Sequence, residues 1–211
     1  DLAVSVRRDE DFRMLRNIGA KYVGRAAYVW GEDRDDEKHF ADAAETVAGY
    51  RRFDAETIFQ ACVFEVVCDR IVPKIRIPAW VFEEFGLPVE SRTFRYEAML
   101  YDSSAVFCDP VKWQPHQGNN WMHDYFGKGA SVPDMSSLET QMWFFYRAKR
   151  YIDAGYEALH LGQIHLMNNN DPGLGHWWSL LARIRRYGAG RARRGMVLID
   201  AHTHGVRLDD W

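Results

Sequence analysis

Four stretches of the chain carry side chains of the kinds that move protons, bind metal ions or stack on rings. Tyr156 to Met167 (YEALHLGQIHLM) passes from apolar Ala158, Leu159 and Leu161 into His160, Gln163 and His165. Thr57 to Val67 (TIFQACVFEVV) carries a carboxylate, Glu65, at the tip of an apolar run. Ile199 to Gly205 (IDAHTHG) holds Asp200, His202 and His204, and Tyr22 to Trp30 (YVGRAAYVW) ends in Tyr28 and Trp30. A carboxyl set against apolar neighbours suits a general acid. The plainer role for Glu65 is an edge carboxylate paired with Arg70. Glu97, in RYEAML, is a second carboxylate of the same type. His160 shares strand parity with Ala158, so both face one side. His165 and Gln163 would lie near the same strand end.

The first, second and fourth stretches read as strands, and the third begins at the end of a last strand, Gly195 to Asp200 (GMVLID), with Ala201 to Trp211 polar and turn-like. Thr57 to Val67 is rich in β-branched and aromatic residues. Between the strands lie helical patterns. Asp11 to Ile18 has helical spacing with Gly19 as C-cap. The acidic run from Glu32 opens a helix reaching about Tyr50, and Leu138 to Ala154 is amphipathic and closed by Gly155. A further helix runs from Gly175 to about Tyr187, and Pro78 to Phe85 is a short one. Trp143 to Lys149 (WFFYRAK) is core packing, and Asn168 to Gly173 is turn chemistry. Thr93 to Cys108 offers two weaker strand candidates. Asp109 to Asp134, with Trp113, His116, Trp121 and His123, is a long irregular loop.

Strand, helix, strand in alternation is the grammar of a parallel α/β protein, in which ligands bind beyond the carboxyl ends of the strands. No GxGxxG or P-loop glycine pattern follows any strand. The expected fold is therefore a TIM-type (β/α)8 barrel, incomplete, with about five βα units in one domain over residues 1–211. A doubly wound parallel sheet is the competing architecture. In a barrel all four polar strand ends converge on one mouth.

A net charge of −3 gives no electrostatic footprint for nucleic acid. The cluster Arg183 to Arg194 reads as an exposed helix face and end. No apolar run reaches the roughly 18 residues of a membrane span. A leader removed before Asp1 would leave no trace, so secretion stays open. Cys62, Cys68 and Cys108 show no CxxC spacing, and Cys62 reads as a buried thiol. Aromatics make up 14% of the chain, with 8 Trp, enough to line a cleft for flat ligands such as sugar rings as well as to fill a core.

Two resemblances bear on function. Ile199 to Gly205 resembles the HxH strand end of the amidohydrolase superfamily, metal-dependent hydrolases on (β/α)8 barrels. It implies one divalent ion such as zinc at His202 and His204. In that family the motif lies on the first strand, with further ligands downstream; here it lies near residue 200. The runs GRAAYVWG, QACVFE and LETQMWFFYRAKRYIDAGYEALHLGQIHLM look like uncharacterised bacterial proteins related to (β/α)8 glycoside hydrolases. That resemblance implies a carbohydrate ligand, no cofactor and a pair of carboxylates across the scissile bond. Glu65 is then the acid/base, with Asp200 or Glu97 as partner and His160 beside them. Tyr28, Trp30, Trp113, Trp121, Gln163 and His165 would contact the sugar. A non-catalytic carbohydrate-binding barrel would keep the aromatics and dispense with the carboxylates.

Overall fold

A computed structural model of the chain describes residues 2–5, 8–31, 33–102, 107–108, 115–116, 122–204 and 206. The described strands are β1 (Tyr22–Ala27), β2 (Ile58–Cys62), β3 (Val67–Cys68), β4 (Phe107–Cys108), β5 (Pro115–His116), β6 (Ala130–Ser131), β7 (Ala158–Gln163) and β8 (Leu198–His202). The helices are α1 (Arg8–Asn17), α2 (Asp36–Arg51), α3 (Ala79–Glu84), α4 (Leu138–Asp153), α5 (Ile164–Met167) and α6 (Gly175–Arg191).

Four strands form one parallel sheet in the order β1-β2-β7-β8, and each crossover carries a helix. Helices α2, α4 and α6 pack side by side, α2 against α4 and α4 against α6. A doubly wound sheet reverses its strand order at a switch point. This order never reverses among the described strands.

Among the described residues the sheet has four strands rather than five. The candidates between Thr93 and Cys108 do not join it. Thr93 makes one antiparallel bridge to Arg76, Glu97–Met99 is a 3-10 turn, and β4 pairs only with β5. Phe94 and Met99 are buried from this irregular segment, Phe94 edge-on to Trp143 at 5.1 Å. Apolar residues that enter the core from turns mimic the alternation of a strand.

Local chemistry accounts for the helices. Asp35 caps α2 by accepting the Lys38 N–H, and Ser137 caps α4 by accepting from Thr140. Helix α4 is buried almost all round and is the central column of the helical layer. Arg147 lies within that column, bonded to Asp36 in the first turn of α2 and 4.7 Å from the Phe40 ring centroid. Phe59 of β2 meets Tyr50 of α2 at 5.4 Å, so odd-numbered positions of that strand face the helices. At the amino end of β7 the buried Glu157 receives Arg51, Arg193 and Arg194. Burial works against its charge, but hydrogen bonds from Arg193 and Arg194 and the charges around it outweigh that and hold the carboxyl below its ordinary range. The basic cluster is therefore partly structural rather than only an exposed face.

Candidate functional site

The carboxyl ends of β1, β2 and β7 open into a cleft of about 400 Å³, lined by Arg25, Tyr28, Trp30, Phe64, Glu65, His160, Gln163 and His202. Side chains from the ends of β1, β2 and β7, with His202 of β8, thus line it, whereas His165, Asp200 and His204 do not.

Glu65 lies three residues beyond β2, in the turn before β3, and is buried. Its partner is Gln163 rather than Arg70. One carboxylate oxygen accepts the Gln163 backbone N–H at 3.0 Å and the other accepts the Gln163 side-chain amide at 2.6 Å. This grip depends on Gly162, whose φ of +65° belongs to a register irregularity between His160 and Gln163. A Cβ at Gly162 would overlap the Glu65 carboxylate and stand 2.9 Å from its backbone nitrogen. Only glycine meets both demands without strain.

His160 points to the same open face of the sheet. Its Nδ1 is 3.0 Å from Asp200 Oδ1 on the neighbouring strand. The same Asp200 oxygen accepts from Gln60 Nε2 at 2.8 Å, and Gln60 Oε1 accepts the Arg25 N–H at 3.2 Å. One hydrogen-bonded row therefore crosses β1, β2, β8 and β7.

The cleft wall is aromatic. Phe64 meets Tyr28 at 5.4 Å, Trp30 at 4.7 Å and His160 at 5.9 Å, all edge-on. Trp30 also packs on Phe126 and is 38% exposed. The Cys62 thiol, buried beneath this wall, is pushed up to about 12 by burial, in line with an inert core thiol.

Glu97 stands apart: it is exposed on its 3-10 turn and does not line the cleft. Trp113 and Trp121 lie outside the described residues. Strand β8 stops at His202, whose ring lies 4.9 Å from His160, whereas His204 lies in a turn 6.1 Å from His165. Alternation that would align an HxH pair requires the strand to continue. Among the described residues no three His, Cys, Asp or Glu side chains are grouped to hold a metal ion. His165 is the second residue of α5 and is half-buried; burial pushes its pKa down, and the nearby His202 and His204 add to that against a hydrogen bond to the His202 backbone and the charge of Glu65.

Gln60, Arg25, Gly162 and Phe64 are site residues that the search for catalytic types passed over. Gln60 was visible as the one polar residue inside IFQAC, and Gly162 as a glycine interrupting a strand. Arg25, a non-glycine residue at φ 52°, has no signal in the sequence.

The chain is thus a parallel α/β protein with a polar cleft at its strand ends. No family model and no curated protein matches the sequence. Two solved structures of a debranching enzyme from Nostoc punctiforme share its fold. The native form aligns at TM-score 0.50 and 10% identity, and a second at TM-score 0.51 and 9% identity. Each alignment covers 91% of this chain and 37% of the enzyme's chain. No helix among the described residues is long and apolar enough to cross a membrane.

Proposed function

We propose that this chain forms part of a carbohydrate-acting hydrolase, with Glu65 as the proton-transferring carboxyl of the cleft. The observation that carries the reading is the position of Glu65. It is a buried carboxyl, fixed by two hydrogen bonds, facing an open cavity walled by Tyr28, Trp30 and Phe64. Sugar rings offer flat apolar faces to aromatic side chains and hydroxyls to amides and imidazoles, and the cleft provides both. The fold shared with a debranching enzyme supports the same class of ligand. In glycoside hydrolysis the carboxyl gives its proton to the departing oxygen.

The sheet we read as an arc of a (β/α)8 barrel. Its strands run in chain order with the crossover helices in one layer. Its open face carries exposed apolar residues, Tyr22 and Leu198, that further strands of a closed barrel would cover.

The reading is tested by reducing-end release from a panel of branched and linear oligosaccharides. Glu65→Gln keeps the shape and removes the proton; its one amide oxygen still accepts the Gln163 N–H, and the Gln163 side-chain amide must turn over to accept from the new NH2. The substitution should lower kcat by about 10²–10⁴-fold while leaving binding within a few-fold. Equal turnover by wild type and the variant contradicts the assignment. If cleavage is lost from the scheme altogether and Trp30→Ala still abolishes binding, the cleft is a binding site only.

A further inference from the structure

The hydrogen-bonded row beneath the cleft has a direction. Gln60 is buried and its amide cannot be turned over: the Arg25 backbone N–H needs an acceptor, so Oε1 must face it. That leaves Nε2 to donate to Asp200. Arg25 holds its N–H in place from the left-handed region, at φ 52°, within the irregular stretch of β1 pairing between Val23 and Ala27. Strain of this kind persists where surrounding structure enforces it. Asp200 lies on the edge strand with its side chain 62% exposed. Without Gln60 it would be one more rotamer-free surface carboxylate. With Gln60 attached, its Oδ1 is presented to His160 Nδ1.

The consequence falls on His160. A carboxylate at Nδ1 selects the tautomer with the proton on that nitrogen. Nε2, on the other side of the ring, then carries the lone pair. It is buried, has no hydrogen-bond partner among the described residues, and belongs to a ring that forms the cleft wall between Phe64 and His202. Asp200, by contrast, does not line the cleft. It reaches the cleft through the imidazole.

We propose that His160, backed by Asp200, is the proton acceptor of the cleft, and that Gln60 is the positioning residue that holds this pair in register. The proposal rests on the hydrolase reading above and replaces a second carboxylate with an imidazole. In the hydrolytic step a water oxygen bonds to the anomeric carbon as the glycosidic C–O bond breaks. The proton the water loses goes to His160 Nε2, and the proton the departing oxygen gains comes from Glu65. The other ionisable groups around the imidazole are Asp200 and His202 on β8, Cys62 and Glu65 on and after β2, and Arg25 and Tyr22 on β1.

The tautomer can be read without turnover. Full-length chain labelled with ¹⁵N in its imidazoles is placed at pH 8, above the ordinary histidine range of about 6.5. The His160 signals are assigned by their loss in His160→Gln. The expected spectrum has Nδ1 protonated and Nε2 at the unprotonated shift. Gln60→Leu should convert this to a mixture of tautomers, and in a turnover assay should lower kcat by about tenfold with KM unchanged. Asp200→Ala, a change on the exposed edge strand, removes the acceptor and should displace the Nδ1–H form even if Gln60→Leu fails to fold. A wild-type spectrum with Nε2 protonated overturns the proposal. So does a His160 tautomer unchanged in Asp200→Ala, or unchanged in a folded Gln60→Leu. The expected tautomers in a chain that cleaves no carbohydrate would leave the positioning intact and bring down the hydrolase reading alone.

Discussion

Gly162→Ala tests whether the backbone around Gly162 exists to seat Glu65. Two costs are separable. Alanine at φ +65° costs about 1–2 kcal/mol against glycine. The added Cβ also displaces the Glu65 carboxylate, which loses its hydrogen bonds to the Gln163 backbone and side chain. Hydrogen bonds to a charged group contribute about 1.5–3 kcal/mol each. The displaced carboxylate regains part of this from water in the open cleft, leaving a loss of roughly 3 kcal/mol for the pair. The total of about 4 kcal/mol corresponds to a drop in Tm of roughly 8–16 °C for a chain of this size. Thermal unfolding of a double-mutant cycle isolates the second part. In a Glu65→Ala background the carboxylate is absent, and Gly162→Ala should cost only the strain at φ +65° and the close approach to the residue-65 backbone nitrogen. Equal losses in the two backgrounds would refute the idea that Gly162 serves Glu65. A drop below about 2 °C in the parent would refute the strained conformation as well.

Two further outcomes concern the helical layer. His39 is buried on α2 and bonded to Tyr151, and burial, with the charges of Arg147, Arg34 and Arg150, brings its pKa down to about 3. Below about pH 6.5 the unfolded chain takes up a proton there while the folded chain does not, so stability falls as pH drops, by about 1.4 kcal/mol per unit, until pH nears 3. Urea denaturation at pH 7 and pH 5 should show a pH-dependent loss that is smaller by about 2 kcal/mol in His39→Gln; an unchanged difference contradicts the assignment. Asp36→Ala leaves the Arg147 guanidinium buried without its carboxylate and should cost about 3–5 kcal/mol in the same assay. A cost under about 1 kcal/mol would mean that the ring contacts around Arg147 hold the charge without Asp36.

Much of the sheet was legible because each parallel strand is a short apolar run followed by a helical repeat. The four runs at Tyr22, Thr57, Tyr156 and Gly195 each became a strand of one sheet. The first candidate between Thr93 and Cys108 forms no strand: Phe94 and Met99 are buried from turns, and period alone could not tell them from a strand, whereas Phe107 and Cys108 of the second do form β4. At the site, residue type found Glu65, His160, Gln163 and Asp200. It could not find how they pair. The Glu65–Gln163 grip spans 98 positions and hangs on a left-handed glycine. The Gln60–Asp200 bond spans 140 positions and needs the strand order to be known first. Strand geometry stops at His202, so the parity of an HxH pair does not extend to His204.

The most direct measurement is a crystal structure of Glu65→Gln soaked with a branched oligosaccharide. The account predicts a sugar ring against Tyr28, Trp30 or Phe64, with a glycosidic oxygen within hydrogen-bond distance of residue 65. A sugar bound away from this cleft, or a cleft that stays empty while the chain cleaves the same oligosaccharide, would contradict it.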